Sequence, residues 1–346
     1  MAGGTGGHVF PALAVAEEMR GRGWNVVWLG AEGGMETTLV PQHGFAMETI
    51  RFRGVRGKGL LRWALLPLAL LVAFWQSARV IFRVRPDIVL GMGGFAAFPG
   101  GMMASFLNRP FVIHEQNAIP GLANRVLAQV ADRAYAAFPG ALRKSHWSGN
   151  PVRAEIAAVA PPAERFTGRA GPLRLFVVGG SLGAQALNAA VPRALALLPE
   201  AERPTVTHQA GVKHIEALRQ HYAEAGVAGE LLPFVDDMAR RYAQADLVVC
   251  RSGATTVAEL ACAGVASILV PFPFATDDHQ TANAKFLSER GAAVLVPQPE
   301  LTPERLAALL RSLDRRQLLE MAIKARQLAK PDAAKVVADG CVELAP

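Results

Sequence analysis

The chain has 346 residues, of which 51% are hydrophobic and 19% are charged. This length predicts two domains, and the composition excludes a disordered chain because the apolar residues suffice for large buried cores. The net charge of +7 favours anionic partners such as phosphorylated substrates, nucleic acid or a phospholipid surface. The three cysteines lie far apart without CxxC spacing, which argues against a disulfide framework and against a zinc site.

The first motif is the glycine-rich stretch 3–9 (GGTGGHV), which precedes a helix predicted over residues 12–20. Glycine lets a ligand approach the main chain closely, and a helix N-terminus presents N–H groups to an anion. His8 adds a side chain that can accept a proton near neutral pH. The stretch therefore predicts a cradle for an anion or a polar ligand; a tight turn that only joins two elements is the alternative.

Short apolar runs alternate with helical segments through the first half of the chain. Strands are predicted over residues 25–29, 87–90, 111–114 and 134–137. This alternation predicts a parallel α/β sheet. A glycine loop that opens such a unit normally follows a strand, yet only two residues precede Gly3, so we predict that this half lacks its first strand.

Two further turns follow predicted strands of this half. They are GMGGF (91–95) and HEQN (114–117). Open α/β sheets bind their ligands at the carboxyl ends of the strands. We therefore expect Gly93, Gly94 and Asn117 to lie near a ligand; a turn capped by Asn117 is the alternative reading of the second motif.

The segment 63–75 (WALLPLALLVAFW) carries no charge and is flanked by arginines. As a helix it would span about 20 Å, which is short of the roughly 30 Å hydrocarbon core and disfavours a transmembrane helix. Basic residues beside an apolar, aromatic-tipped segment favour an interfacial anchor on an anionic leaflet. Trp63, Phe74, Trp75 and Arg79 are the predicted membrane contacts; a buried core helix is the alternative.

The pattern restarts after the turn GNPVR (149–153). A strand is predicted over 173–178, a glycine loop follows at 179–183 (GGSLG), and a helix over 184–198. We therefore predict two Rossmann-like α/β domains, 1–153 and 154–346, that face a ligand. Neither glycine loop has the dinucleotide spacing G-x-G-x-x-G, and no Walker motif occurs. Glu32, just after the strand predicted over 25–29, keeps a nicotinamide enzyme as a weaker alternative.

The second half also carries polar residues at helix starts. Ser252, Thr255 and Thr256 follow a strand predicted over 246–250 and suit an anion at a helix N-terminus. Glu259 suits vicinal hydroxyls, with a role as a helix-dipole partner as the alternative. The sequence contains neither D-x-D nor H-E-x-x-H, so no metal is predicted. A diphosphate leaving group would depend on helix N-termini, loop N–H groups and Arg153.

The motifs together resemble the MurG family, the bacterial undecaprenyldiphospho-muramoylpentapeptide β-N-acetylglucosaminyltransferases of glycosyltransferase family 28. The resemblance covers nearly the whole chain, in order: GGTGGHVFPALA (3–14), GMGGF (91–95), HEQN (114–117), GNPVR (149–153), GGSLGA (179–184), RSGATTVAEL (251–260) and DDHQTANA (277–284).

This resemblance implies an α/β GT-B fold, with two Rossmann-like domains whose parallel sheets face a central cleft. It implies inverting, metal-independent and cofactor-free transfer of GlcNAc from UDP-GlcNAc to the MurNAc C4 hydroxyl of lipid I, giving lipid II for peptidoglycan. It also implies a peripheral enzyme at the cytoplasmic face of the bacterial inner membrane. The acceptor and an anionic membrane surface would be partners of the N-terminal domain, onto which the last helix packs back. Other cell-wall synthesis and division proteins are candidate partners, and nucleic acid is not.

The resemblance also implies roles for single residues. His8 is the implied general base, and Gly3, Gly4, Gly93 and Gly94 form loops around the acceptor and the diphosphate. The implied UDP-GlcNAc contacts are Thr5, Gly6, Gly7, Asn117, Arg153, Ser181, Val235, Ala254, Thr255, Thr256, Val257, Ala258, Glu259, His279 and Gln280.

Two departures leave alternatives open. The family often has an amide where His279 stands, which weakens the implied sugar contact there. The absent first strand leaves open a catalytically inactive nucleotide-binding scaffold. Another UDP-sugar enzyme of GT-B fold, such as a glycolipid glycosyltransferase or a UDP-GlcNAc epimerase, would share the donor half.

Overall fold

The computed structural model describes residues 1–52, 65–180 and 183–346. The predicted contacts Trp63 and Ser181 lie outside these residues. The described chain forms two compact units. Unit 1 comprises Met1–Arg153 together with Pro331–Pro346, and unit 2 comprises Ala154–Lys330.

Unit 1 contains strands and helices in alternation. Its elements are α1 (Gly6–Gly21), β1 (Val27–Ala31), α2 (Glu36–Gln42), β2 (Ala46–Ile50), α3 (Leu66–Val84), β3 (Val89–Gly91), α4 (Ala97–Phe106), β4 (Phe111–Glu115), α5 (Leu122–Leu127), β5 (Arg133–Ala136) and β6 (His146–Trp147). Its described strands form two separate parallel sheets, β1-β2 and β3-β4-β5-β6.

Met1 lies beside β3. The Met1 amino group donates to the Leu90 carbonyl oxygen at 2.7 Å, and the Met92 N–H donates to the Met1 carbonyl oxygen at 2.8 Å. A cavity of about 260 Å³ opens next to Met1, and its lining includes Trp28 and Ile88. Desolvation lowers the pKa of the Met1 amino group to about 5.

Several boundaries differ from the sequence-based expectation. Helix α1 begins at Gly6, well before the predicted start at residue 12, so His8 lies in its first turn. Thr5 has an extended backbone, and its carbonyl oxygen accepts the first helical bonds, which allows the glycines to enter the helix. Helix α3 continues to Val84, beyond the apolar run 63–75, and its 19 residues span about 28 Å.

The C-terminal helix α15 (Ala333–Leu344) packs against α1. Val337, Ala338 and Cys341 are buried in the same core cluster as Val9 and Leu13. The ion pair Arg22–Asp339, at 2.7 Å, and the pair Arg133–Glu343 bind the helix at its polar side. Unit 1 therefore closes its core with the end of the chain.

Unit 2 has one parallel sheet with the strand order β12-β11-β10-β7-β8-β9. Its elements are α6 (Ala154–Ala157), α7 (Pro162–Phe166), β7 (Arg174–Val178), α8 (Gln185–Ala196), β8 (Thr205–Gln209), α9 (Ile215–Ala225), β9 (Glu230–Leu232), α10 (Met238–Gln244), β10 (Leu247–Cys250), α11 (Ala254–Ala263), β11 (Ala266–Leu269), α12 (His279–Ser288), β12 (Ala293–Leu295), α13 (Pro303–Ser312) and α14 (Arg315–Gln327). Short 3₁₀ turns lie at Glu200–Glu202, Val212–His214, Thr276–Asp278 and Gln298–Glu300.

A buried carboxylate ties the start of this sheet together. Asp246 is fully buried before β10, and it accepts a hydrogen bond from the Arg174 N–H at 2.9 Å. It also pairs with the guanidinium groups of Arg169 and Arg315. The charge is therefore compensated inside the unit.

Candidate active site

The glycine stretch of unit 1 is fixed by a buried glutamate. The Gly4 N–H donates to Glu36 Oε2 at 3.0 Å, and the Ala31 N–H donates to Glu36 Oε1 at 3.0 Å. Glu36 begins α2 and is fully buried. Its carboxylate therefore joins the loop before α1 to the end of β1. Sequence reasoning missed this residue because acidic residues are common at helix N-termini, where they stabilise the helix dipole, so Glu36 did not stand out.

The second glycine turn packs directly on the first. A Cβ at Gly93 would stand 2.6 Å from His8 Nδ1, and a Cβ at Gly94 would stand 2.3 Å from the Gly3 carbonyl oxygen. Both Gly93 and Gly94 have φ of +87°, which side-chain-bearing residues rarely adopt. The structure thus brings the predicted residues Gly3 and His8 together with Gly93 and Gly94, from two stretches that are far apart in sequence.

His8 is held at one ring nitrogen by Gln116. The distance between His8 Nδ1 and Gln116 Oε1 is 2.9 Å, and Gln116 is buried after β4. Gln116 Nε2 donates to the Met92 carbonyl oxygen at 3.0 Å and lies 3.2 Å from His114 Nδ1. The HEQN motif was predicted to be functional, but the link from Gln116 to His8 depends on a contact across the fold.

His114 is a buried neutral member of this cluster. Its Nε2 lies 2.9 Å from the Gly149 carbonyl oxygen. Burial, reinforced by the nearby His8, lowers the pKa of His114 to about 4. Gly149 belongs to the GNPVR motif, so two sequence motifs meet at this imidazole.

Glu115 fixes the loop that carries Asn117. Its buried carboxylate accepts hydrogen bonds from the Asn117 N–H at 2.8 Å and from Asn124 Nδ2 at 2.8 Å. Asn117 itself is half-buried. Arg153, the last residue of the GNPVR motif, is also half-buried and ends the N-terminal segment of unit 1.

In unit 2, Gln209 connects two loops at the carboxyl edge of the sheet. Its Oε1 accepts from the Gly179 N–H, and its Nε2 donates to the carbonyl oxygens of Gly180 and Pro233, all at 3.2 Å. Val235, the predicted uracil contact, is buried in the segment that follows Pro233. Sequence reasoning missed Gln209 because it ends the mostly polar run TVTHQ (205–209), which was not predicted to be a strand.

The motifs at 251–260 and 277–284 meet at the starts of two helices. Ser252 Oγ donates to the Gln280 carbonyl oxygen at 2.8 Å, and Asn283 Nδ2 donates to the Ser252 carbonyl oxygen at 3.2 Å. Gly253 is the N-cap of α11. The first five residues of the helix are therefore the predicted donor contacts Ala254, Thr255, Thr256, Val257 and Ala258.

Glu259 lies further along α11 and is buried. The Tyr242 hydroxyl donates to Glu259 Oε2 at 3.1 Å. This carboxylate is therefore more enclosed than the sequence suggested.

His279 and Gln280 begin α12 after an unusual turn. Asp277 and Asp278 both have left-handed backbones, with φ of +53° and +52°. Gln280 Oε1 accepts from the Phe272 N–H at 2.9 Å, and His279 Nδ1 lies 2.7 Å from the Thr276 carbonyl oxygen. Both predicted sugar contacts are half-buried at the helix start.

Helix α3 is long and apolar enough to cross a membrane by its length and composition. Trp75 is 62% exposed, and the Arg79 guanidinium lies 5.8 Å from the centre of its ring. Phe74, predicted to face lipid, is instead half-buried with its ring 6.2 Å from that of Phe98 in α4. The helix thus presents Trp75 and Arg79 outward and turns Phe74 towards its own unit.

No cluster of three His, Cys, Asp or Glu side chains that could hold a metal ion occurs in the described parts of the chain. Cys250, Cys262 and Cys341 are buried and form no disulfide in the part of the chain that the structure describes.

Comparison with known proteins identifies both units. The profile of the glycosyltransferase family 28 N-terminal domain matches residues 1–136, and that of the C-terminal domain matches residues 174–337. A protein of Nitrosospira multiformis is 65% identical in sequence, and the alignment covers 99% of this chain and 97% of that protein. A protein of Aromatoleum aromaticum is 66% identical in sequence, and the alignment covers 100% of this chain and 97% of that protein.

Both relatives are named UDP-N-acetylglucosamine–N-acetylmuramyl-(pentapeptide) pyrophosphoryl-undecaprenol N-acetylglucosamine transferase. The crystal structure of Acinetobacter baumannii MurG is 42% identical and superposes with a TM-score of 0.86, covering 99% of this chain and 98% of that one.

Proposed function

The chain belongs to glycosyltransferase family 28, and from that membership we propose that it transfers GlcNAc from UDP-GlcNAc to the MurNAc C4 hydroxyl of lipid I, forming lipid II. The observation that carries this proposal is the high identity, over the whole chain, to relatives named for this transfer. The fold is GT-B, with two α/β units built on parallel sheets. The activity is that of an N-acetylglucosaminyltransferase in peptidoglycan synthesis.

His8 is the general base of the proposed reaction. The C4 oxygen of MurNAc forms a bond to the anomeric carbon of GlcNAc, while the bond from that carbon to the UDP oxygen breaks with inversion. The hydroxyl proton passes to His8, and UDP leaves with the bonding electron pair. Such general-base assistance typically contributes a factor of about 10²–10⁴ in rate. The hydrogen bond that His8 Nδ1 donates to Gln116 Oε1 and the close packing of Gly93 beside the ring support this role because they orient the ring.

The leaving diphosphate is stabilised without a metal in this proposal. The first N–H groups of α11 and the side chain of Arg153 are the proposed partners, because helix N-termini favour anions. Glu259 binds the ribose hydroxyls, Val235 contacts the uracil through its backbone, and Gln280 with His279 reads the sugar. Thr5, Gly6, Gly7 and Asn117 lie against the GlcNAc moiety.

We propose that the protein is peripheral at the cytoplasmic face of the inner membrane. The support comes from α3, where Leu68, Leu71, Trp75 and Phe82 are all at least 60% exposed and fall on one helical stripe. An apolar stripe of this size is unusual on a soluble surface unless something covers it. Arg79 lies on the same stripe and suits anionic headgroups.

The opposite stripe of α3 argues for lying on the membrane rather than crossing it. Ala73, Ser77 and Ile81 are buried within unit 1, and Arg83 pairs with Glu48 on the strand β2. These contacts hold the helix along the surface of the unit. Such partly buried amphipathic helices lie in the interface.

Vesicle flotation tests the membrane proposal. We expect binding to vesicles that contain phosphatidylglycerol, weakening with salt, and strong loss of binding for Trp75→Glu. Phe274→Glu, which removes an exposed aromatic side chain from unit 2, is the matched control and should bind normally. Unchanged binding of Trp75→Glu would overturn the proposal, and equal binding to neutral vesicles would overturn its electrostatic part.

The transfer itself is tested with purified protein, labelled UDP-GlcNAc, EDTA and a lipid I analogue. Lipid-linked disaccharide and UDP should form together, only when acceptor is present. His8→Ala should lower turnover about 10²-fold or more while the affinity for UDP-GlcNAc stays within about two-fold. UDP-GlcNAc consumption without acceptor would instead identify an epimerase, and unchanged turnover of His8→Ala would exclude His8 as base.

A further inference from the structure

We infer that Gln116 is a positioning residue that holds His8 in the tautomer protonated at Nδ1, so that the lone pair of Nε2 is available to accept a proton. This inference rests on the proposed function for its catalytic meaning, but its structural part concerns the free protein. The juxtaposition that carries it is the 2.9 Å contact between His8 Nδ1 and Gln116 Oε1.

The orientation of the Gln116 amide is determined by its surroundings. On its nitrogen side lie the Met92 carbonyl oxygen at 3.0 Å, His114 Nδ1 at 3.2 Å and the His114 carbonyl oxygen at 3.4 Å. All of these are acceptors if His114 is protonated at Nε2. An amide NH₂ group is therefore required there, which turns Oε1 towards His8.

The tautomer of His114 is set in turn by a backbone group. A carbonyl oxygen can only accept, so His114 Nε2 carries the hydrogen that is donated to Gly149. Burial lowers the pKa of His114 to about 4, so the ring is neutral near pH 7 and its Nδ1 has a lone pair. The Gly149 carbonyl, His114 and Gln116 thus form a chain of hydrogen bonds that ends at His8.

This chain specifies the proton positions on His8. Because Gln116 Oε1 can only accept, Nδ1 must be the protonated nitrogen of the neutral His8 ring. Within the described residues, His8 Nε2 makes no hydrogen bond to the protein. A base needs its lone pair on the nitrogen that faces the substrate, and a wrong tautomer removes this function without moving the ring.

The first test reads the tautomer directly, without substrate. The protein is labelled with ¹⁵N-histidine, and the His8 ring signals are identified by their absence in His8→Ala. Above the pH at which the ring deprotonates, we expect Nδ1 to be protonated and Nε2 to be unprotonated. Gln116→Leu should shift the population towards the Nε2-protonated form, because it removes the acceptor opposite Nδ1.

The second test separates turnover from binding. Gln116→Leu should lower kcat roughly 10²-fold and leave KM for UDP-GlcNAc within about two-fold. Gln129→Leu, which changes an exposed glutamine of the same unit, is the matched control and should behave as the wild type. Circular dichroism of each variant checks that it is folded.

The outcomes distinguish the two proposals. An Nε2-protonated His8 in the wild type, or an unchanged tautomer and kcat in a folded Gln116→Leu variant, overturns the role of Gln116. If the tautomer follows Gln116 as expected but the wild type transfers no GlcNAc to lipid I, the positioning inference stands and the proposed function fails.

Discussion

The absence of a side chain at Gly93 leaves the space that the His8 ring occupies. A Cβ would overlap Nδ1 and Cε1, at 2.6 and 2.7 Å. We expect Gly93→Ala to displace the ring from Gln116 and to lower kcat by about 10- to 10²-fold, since a misplaced base loses most of its contribution. Steady-state kinetics with saturating UDP-GlcNAc measures this effect.

Gly140→Ala is the control for backbone strain. Gly140 also has a positive φ, +76°, but a Cβ there meets nothing within 4 Å. Both substitutions should destabilise unit 1 by about 1–3 kcal/mol because of the left-handed backbone. Equal losses of kcat in the two variants would show that strain, and not the contact with His8, explains the defect.

His208 makes the stability of unit 2 depend on pH. It is buried between Tyr222 and Asn188, and desolvation lowers its pKa from the ordinary 6.5 to about 3. Between these values the unfolded chain binds the proton more tightly than the folded one. The free energy of unfolding should therefore fall as pH decreases from 6.5, by at most about 1.4 kcal/mol per pH unit.

Urea denaturation at several pH values measures this dependence. In His208→Gln the part of the slope that belongs to His208 should vanish. Identical slopes for the two proteins between pH 6.5 and 4 would contradict the prediction.

At the level of single residues, the sequence indicates candidate residues more readily than the contacts between them. His8, Gly93 and Gly94 could be predicted as candidates because glycine turns and a histidine are informative within a short window, and the structure places Gly93 beside the His8 ring. Gln116 and Glu36 were not assigned, since their partners are remote in the chain. An amide or a carboxylate acquires its role from what the fold brings within hydrogen-bond distance.

At the level of secondary-structure elements, the stability of the region at the start of β10 depends on the charge of Asp246. Asp246→Ala would leave Arg169 and Arg315 partly buried without their carboxylate and would remove the acceptor of the Arg174 N–H. We expect a loss of about 3–5 kcal/mol in the free energy of unfolding, because a broken buried pair leaves an uncompensated charge. Chemical denaturation monitored by circular dichroism measures it.

The exposed pair Glu202–Arg311 provides the comparison. Its atoms approach to 3.0 Å, but both side chains are about half exposed. Glu202→Ala should cost less than about 1 kcal/mol, as solvent and salt screen such pairs. Comparable losses for the two substitutions would mean that the burial of Asp246 does not determine its contribution.

Element types were easier to predict than element ends. The strands at β4, β7 and β10 were expected within one residue of their positions, because buried parallel strands are short apolar runs between turns. The start of α1 was predicted wrongly, and α3 continues beyond the apolar run 63–75. The helical conformation of the glycines that begin α1, and of the arginines in the second half of α3, depends on tertiary contacts. A periodic sequence pattern does not reveal such contacts.

For the whole molecule, the division into units predicts how the chain can be cut. Residues 154–330 hold a complete six-stranded sheet with its core, so this fragment should fold cooperatively and bind UDP. Residues 1–153 lack α15, whose Val337, Ala338 and Cys341 complete the core of unit 1. Each fully buried apolar side chain contributes about 1.5–3 kcal/mol, so this fragment alone should be loosely packed.

Adding the peptide 331–346 to the fragment 1–153 should restore its fixed tertiary structure, as seen in near-ultraviolet circular dichroism. A peptide carrying Val337→Asp is the control and should not do so, because it would bury a charge. A fragment 1–153 that is fully ordered without any peptide would refute this dependence.

The packing of α15 on α1 also affects the order of events during synthesis. Domains generally fold as they emerge from the ribosome, the N-terminal one first. Here unit 2 has all of its residues once position 330 has emerged, whereas unit 1 must wait for residues 331–346. The part of the protein that carries His8 is translated first and completes its folding last, so a nascent chain exposes its unfinished core for the whole time that unit 2 is being made.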